Sequence, residues 1–166
     1  MALSLESAVG AFGAVAKEKL GNPAAKGQPE DQLRGPFENF LHDIAELLDL
    51  PRAAVVAVGE ASLSDLRTRP DYAVTVRNAL VGHVELKAPG KGADPRKFRE
   101  PHDKDQWQRL RALPNLIYTD GNEFSLWRDG ELAGMIVRLV GDIESSGRHL
   151  RAPFGLLGLF EKFLSW

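Results

Sequence analysis

Arg69-Pro70-Asp71-Tyr72-Ala73-Val74-Thr75-Val76 and Leu80-Val81-Gly82-His83-Val84-Glu85-Leu86-Lys87-Ala88-Pro89 are two apolar, alternating segments on either side of Arg77-Asn78. The pattern predicts strands near 71–76 and 80–87 joined by a tight turn. Strand side chains alternate between faces, so Glu85 and Lys87 point one way while Val84 and Leu86 point into the opposite layer. With Asp71 at the start of the first strand, two acids and a lysine meet on one face. A carboxylate pair suits a hard divalent cation, and an ammonium beside it can orient water and offset developing negative charge. That combination is what phosphodiester hydrolysis requires.

At these residues the sequence resembles the PD-(D/E)XK nuclease superfamily: Pro70-Asp71 supplies the PD, thirteen residues intervene, and Glu85-Leu86-Lys87 supplies the ExK. The surrounding text, Arg69-Pro70-Asp71, then Glu85-Leu86-Lys87-Ala88-Pro89-Gly90-Lys91, Asp105-Gln106-Trp107, and Asn115-Leu116-Ile117-Tyr118-Thr119-Asp120-Gly121-Asn122-Glu123-Phe124, is similar to the Mrr-like nuclease domain that opens single-chain restriction-modification enzymes of the type ISP and type IIG kind. The likeness runs from about residue 37 to 134. It implies an α/β fold with a restriction-endonuclease-like core, a central mixed sheet flanked by helices. It also implies a Mg²⁺-dependent endonuclease, with Mn²⁺ able to substitute, in which Asp71, Glu85 and the Leu86 backbone carbonyl hold the metal and Lys87 orients or helps deprotonate the attacking water. Gln106 approaches the metal or the scissile phosphate in such domains, and Glu38 is a candidate second-sphere or second-metal acid. Some relatives continue with a tyrosine four residues after this glutamine, where this chain has Leu110. The implied partners are double-stranded DNA, a covalently linked adenine methyltransferase and target-recognition domain, and a second nuclease domain on the opposite strand for double-strand breaks. A different class of reading is a catalytically silent nuclease-like fold that docks DNA or protein; its mark would be a missing acid or lysine, and all three are present.

Composition bounds these readings. A chain of 166 residues with 43% hydrophobic and 27% charged residues is long enough for one domain with a real core. No cysteine is present, which excludes disulfides and zinc-thiolate sites and fits a cytoplasmic location. No stretch reaches membrane-span length and the N-terminus lacks a signal-peptide pattern, so no membrane partner is expected. The net charge of −2 argues against strong autonomous DNA binding, so other domains are expected to supply most of the affinity.

Outward from the hairpin, the chain divides into an N-terminal helix and connection (1–36), the nuclease core (37–141), and a C-terminal loop and apolar helix (142–166). Ser4 is placed to cap a first helix carrying Leu5, Val9, Phe12 and Val15, with Gly10 and Gly13 inside it. Residues 21–36 read as an exposed connection, and Gly35-Pro36 opens a second helix with a stripe of Phe37, Phe40, Leu41, Ile44 and Leu47. On that helix Glu38 is equally an ordinary first-turn acid. Residues 53–60 form a nearly continuous apolar run suited to a buried strand, and 61–69 a loop. After the hairpin, Lys91, Arg96, Lys97 and Arg99 make a basic loop, either a DNA-phosphate contact or a solvated surface. Asp103 then starts a helix ending at Pro114, and the Asp103–Gln106 spacing is also that of a capping box. Strands at 115–119, 123–127 and 131–140 form a meander, and the helix before them makes a crossover consistent with a mixed sheet. The closing run of Phe154, Leu156, Leu157, Leu159, Phe160, Phe163, Leu164 and Trp166 either packs on this domain or leads toward a following one, as in a shortened chain. The four histidines show no metal-ligand spacing, although His83 shares the Glu85 face; Ser62 and Ser64 lack triad partners.

Overall fold

The computed structural model describes residues 2–59 and 69–166. The loop expected at 61–69, with Ser62 and Ser64, therefore falls outside the described residues except for Arg69. The fold is mixed α/β, with helices on both faces of a seven-stranded mixed sheet, an architecture compatible with a restriction-endonuclease-like core.

The expected hairpin forms β2 (Tyr72–Val76) and β3 (Ala79–Leu86), paired antiparallel. Its turn residues Arg77 and Asn78 both have positive φ, 49° and 67°, the mirror-image turn whose twist matches that of the strands. The apolar run before it forms β1 (Val55–Gly59), antiparallel to β2. It is an edge strand rather than a buried one, and Val56 and Val58 remain 44% and 49% exposed. A short apolar run has no periodicity that separates edge from centre.

Beyond β3, α3 (Pro101–Leu110) crosses to β4 (Leu116–Thr119), which pairs parallel with β3 as the crossover predicts. β5 (Glu123–Arg128) continues antiparallel to β4. The single strand expected over 131–140 is two short ones, β6 (Glu131–Leu132) and β7 (Val137–Arg138), both paired to β5 and separated by Gly134 at φ 84°.

One face of the sheet, with Tyr72, Val74, Val84, Leu86, Ile117, Phe124 and Leu126, is covered by three helices, α1 (Leu5–Leu20), α2 (Arg34–Leu47) and α4 (Leu156–Leu164). Ser4 caps α1 in a reciprocal box with Ser7. Gly13 lets α1 meet the 147–151 segment, since a Cβ there would lie 2.1 Å from the Gly147 carbonyl oxygen. Phe12, Phe40, Phe124 and Phe160 form the aromatic centre, and α4 packs on the core through Phe160 and Phe163. The connection before α2 is more ordered than its composition suggests: Pro29–Leu33 is a 3₁₀ turn that buries Leu33, and α2 begins at Arg34, with Pro36 in its first turn.

The opposite face carries a smaller cluster in which Trp107 and Leu110 of α3 and Phe98 cover Leu116, Tyr118 and Trp127. Glu85 and Lys87 point into this second layer.

Candidate active site

Pro70 and Asp71 lie just ahead of β2, and Glu85, Leu86 and Lys87 at the far end of β3, so the antiparallel register brings the two ends together. The Asp71 N–H donates to Glu85 Oε1 at 3.2 Å, and the Leu86 N–H donates to Asp71 Oδ2 at 2.7 Å. The N–H and C=O of one strand residue leave the same edge, so the Leu86 carbonyl also faces the Asp71 side. Lys87 uses the opposite edge, its N–H donating to the Thr119 carbonyl at 2.8 Å, which anchors it to β4.

The Lys87 ammonium has three donors and three partners: Gln106 Oε1 at 2.6 Å, Asp103 Oδ1 at 3.0 Å and Glu85 Oε2 at 3.3 Å. Gln106 and Asp103 come from α3, whose N-cap is Glu100 and whose first residue is Pro101. Asp103 thus does not start the helix, and no capping box forms between it and Gln106. Pro101 sets the start because its missing N–H falls where a helix needs none. Both side chains are thereby free to turn toward Lys87. Asp103 also accepts from Lys91 Nζ at 2.7 Å, and Lys91 reaches Glu100 at 3.2 Å.

The loop after β3 is tied to the end of β4. The Gly90 and Gly92 amides donate to Asp120 Oδ2 at 3.0 and 2.8 Å, and Ser125 Oγ donates to the Ala93 carbonyl at 2.6 Å. Of its basic residues, Lys91 lines the cleft. Arg96 pairs with Asp94 and lies 5.0 Å over the Trp127 ring, while Lys97 and Arg99 flank Phe98 and Glu100 in an adjoining groove. Glu38 turns elsewhere: its Oε2 accepts from the Tyr72 hydroxyl at 2.9 Å, on the α2 side of the sheet. His83 shares the Glu85 face and is buried, and its Nδ1 lacks a hydrogen-bond partner.

These residues wall a polar cleft of about 370 Å³, whose carboxylates are Glu30, Asp31, Asp71, Glu85, Glu100 and Asp103 against the ammonium groups of Lys87 and Lys91. Burial first, and then the Asp71 charge, push the Glu85 carboxyl up to about 8, with Lys87 only partly offsetting them. Burial acts against the Asp103 carboxylate too, but hydrogen bonds from Lys91 and Lys87 outweigh it and hold Asp103 below its ordinary range. The Tyr118 phenol, opposite Glu85 in the β3–β4 register, is raised by burial and then by the charges of Glu85, Asp103 and Asp71. Its hydroxyl is buried without a partner.

Among the described residues no group of three His, Cys, Asp or Glu side chains could hold a metal ion by themselves. The donors on this strand end are two carboxylates and a strand-end carbonyl, all oxygen. That fits a hard divalent cation which keeps water or phosphate oxygens in its remaining positions.

Sequence reasoning brought Asp71, Glu85, Leu86, Lys87 and Gln106 to one place. It missed Asp103, Tyr118 and Arg34, whose Nη2 donates to Asp71 Oδ1 at 2.5 Å. The Glu100-Pro101 step was a legible signal for the helix start, and hence for freeing Asp103. For Arg34, 37 positions before Asp71, no local pattern exists.

No known family model matches the chain, and no curated protein matches it. Among solved structures, a cryo-EM structure of a DrdV–DNA complex superposes with a TM-score of 0.61 over 98% of this chain at 19% identity. The likeness is one of fold, and this chain spans 14% of the length of that one. No helix among the described residues is long and apolar enough to cross a membrane.

Proposed function

We propose that this chain is a metal-dependent DNA endonuclease module of the PD-(D/E)XK kind, Mrr-like in its motif order. The observation that carries the reading is the convergence of Asp71, Glu85 and Lys87 on one sheet face at hydrogen-bonding distances. The fold likeness to a chain solved with DNA supports DNA as the partner. Asp71, Glu85 and the Leu86 carbonyl would hold Mg²⁺, which when bound supplies a Lewis acid and a water of lowered pKa.

The chain's own residues divide the remaining work. Asp103 and Gln106 fix the Lys87 ammonium by two hydrogen bonds, and Glu85 is its ion-pair partner at 3.3 Å. Held in this way beside Glu85 on the cleft wall, the ammonium would orient water or bind a phosphate oxygen. Lys91 and the exposed Lys97 and Arg99 form the basic rim for the DNA backbone.

The acid excess of the cleft repels a polyanion, so DNA capture and target choice fall to other domains, an adenine methyltransferase and a target-recognition domain in the same polypeptide. In this reading the enzyme acts in restriction-modification and phage defence in the cytoplasm. Each module nicks one strand, and two modules on opposite strands make a double-strand break.

The test is cleavage of supercoiled plasmid by the longest natural chain, wild type against Lys87→Ala, with and without Mg²⁺. Nicking that needs both Mg²⁺ and Lys87 is the expected result. A folded wild-type chain that never cuts, with its neighbouring domains and their cofactors present, would replace this reading with the silent docking module.

A further inference from the structure

We propose that Arg34 is a positioning residue for Asp71, one that fixes the carboxylate plane and lowers the affinity of the site for a divalent cation. The inference rests on the metal-site reading above and concerns a residue outside the motif. Asp71 has each oxygen held by a different donor: Oδ1 by the Arg34 guanidinium at 2.5 Å and Oδ2 by the Leu86 N–H at 2.7 Å. Two anchors on opposite oxygens leave the carboxylate little freedom to rotate. They also leave one lone pair on each oxygen for a cation, so the carboxylate can bind metal without releasing either anchor.

Arg34 is itself held. Its guanidinium carbon lies 5.5 Å above the Tyr72 ring, that ring stacks on Phe37 at 5.8 Å, and the Tyr72 hydroxyl donates to Glu38 at 2.9 Å. Asp31 lies 3.7 Å from Arg34 Nε. Glu38, Tyr72, Arg34 and Asp71 thus form one chain of contacts from α2 to the site, and this is where the acid on that helix acts. The helix spacing contributes, because Arg34 and Glu38 are one turn apart and flank Tyr72 together.

The physical consequence has two signs. A guanidinium on a ligand oxygen neutralises part of the charge a divalent cation would bind, which weakens the cation's hold; the same contact orders the ligand for the reaction. A strut with only a structural role would give neither effect: its removal would lower stability and, if anything, weaken metal binding.

The experiment is a Mn²⁺ titration read by electron paramagnetic resonance, without DNA, on wild type, Arg34→Met, Arg34→Lys and an Asp71→Asn control, followed by plasmid nicking at saturating Mn²⁺. Arg34→Met is expected to bind Mn²⁺ about tenfold more tightly, as loss of a unit charge near the site implies, yet to turn over more slowly. Arg34→Lys keeps the charge but not the planar fork, so its affinity stays near wild type while its turnover falls. Unchanged or weaker Mn²⁺ binding by folded Arg34→Met, beside a wild type that binds through Asp71, overturns this proposal and leaves the metal site standing. Absence of any Asp71-dependent Mn²⁺ binding in wild type overturns both. Should Arg34→Met fail to fold, Arg34→Lys and Tyr72→Phe carry the test, and wild-type turnover and affinity in both would overturn the proposal.

Discussion

The two faces of the sheet are built on opposite rules. On the side of α1, α2 and α4 the strands contribute Val74, Val84, Leu86, Ile117 and Leu126, and the contacts are carbon on carbon around four mutually packed phenylalanines. On the α3 side the same strands contribute Glu85, Lys87, Tyr118 and Ser125, buried among Asp103, Gln106 and a few aromatic rings. Leu86 and Glu85 are neighbours in sequence, yet one adds to the larger core and the other is driven toward its protonated form by burial. Apolar burial is concentrated on the first face, and buried charge on the second at the expense of stability.

The largest effect is expected on the polar face. Glu85→Gln or Lys87→Met should lower nicking by about 10³-fold, as loss of a group placed for proton or charge transfer does. Glu85→Gln should leave the thermal midpoint unchanged or higher, because a buried acid becomes a neutral amide. Steady-state plasmid nicking and calorimetry on the same preparations check both halves; a large fall in midpoint would erase the division.

On the apolar face the sign reverses. Phe160→Ala, at the junction of Phe40 and Phe124, should remove about 3–5 kcal/mol of stability in urea melts, while the protein that remains folded should nick normally. A smaller loss, about 1–3 kcal/mol, is expected for Gly13→Ala, because its Cβ would meet a backbone oxygen rather than a yielding side chain.

The mildest probe is pH. Glu85 keeps its proton up to about 8 in the folded, metal-free chain, whereas an unfolded chain releases it near the ordinary 4.5. Between those values the folded state binds more protons, so the Glu85 contribution is full below about 4.5 and lost as pH rises through about 8. Thermal melts in chelator should show the metal-free midpoint declining across that window, and Glu85→Gln should flatten the slope. A wild-type slope of the opposite sign, unaltered by Glu85→Gln, would remove Glu85 as its source.

What sequence reading could reach is set by the range of the interaction. The hairpin, its turn at Arg77-Asn78 and the shared face of Glu85 and Lys87 follow from a two-residue period acting over a few positions, and they stand as expected. The parallel crossover follows from connection length. The edge position of β1 does not, because Val55–Gly59 reads the same whether or not another strand lies beyond it. In the site, the motif residues were legible because they lie on one hairpin. Asp103 was hidden behind a plausible capping role, and Tyr118 within an ordinary apolar strand. Arg34 meets Asp71 only through the packing of α2 on the sheet.

The mirror-image turn at Arg77-Asn78 bears on the order in which the site is assembled. Asp71 and Glu85 are joined through it by a loop of 14 positions, whereas Asp71 and Arg34 are separated by 37. Closing the longer loop costs about 0.6 kcal/mol more entropy for each doubling of length, and a hairpin forms in about 1–10 μs. The acid pair is therefore brought together by a local event, early and independently of the helices. Lys87 rides on the same strand as Glu85, whereas Arg34 reaches Asp71 only with the long-range closure of α2 against the sheet. By this loop-closure argument the two carboxylates are adjacent before the Arg34 guanidinium is fixed beside Asp71, so a divalent cation present at that moment would meet a more negative pair.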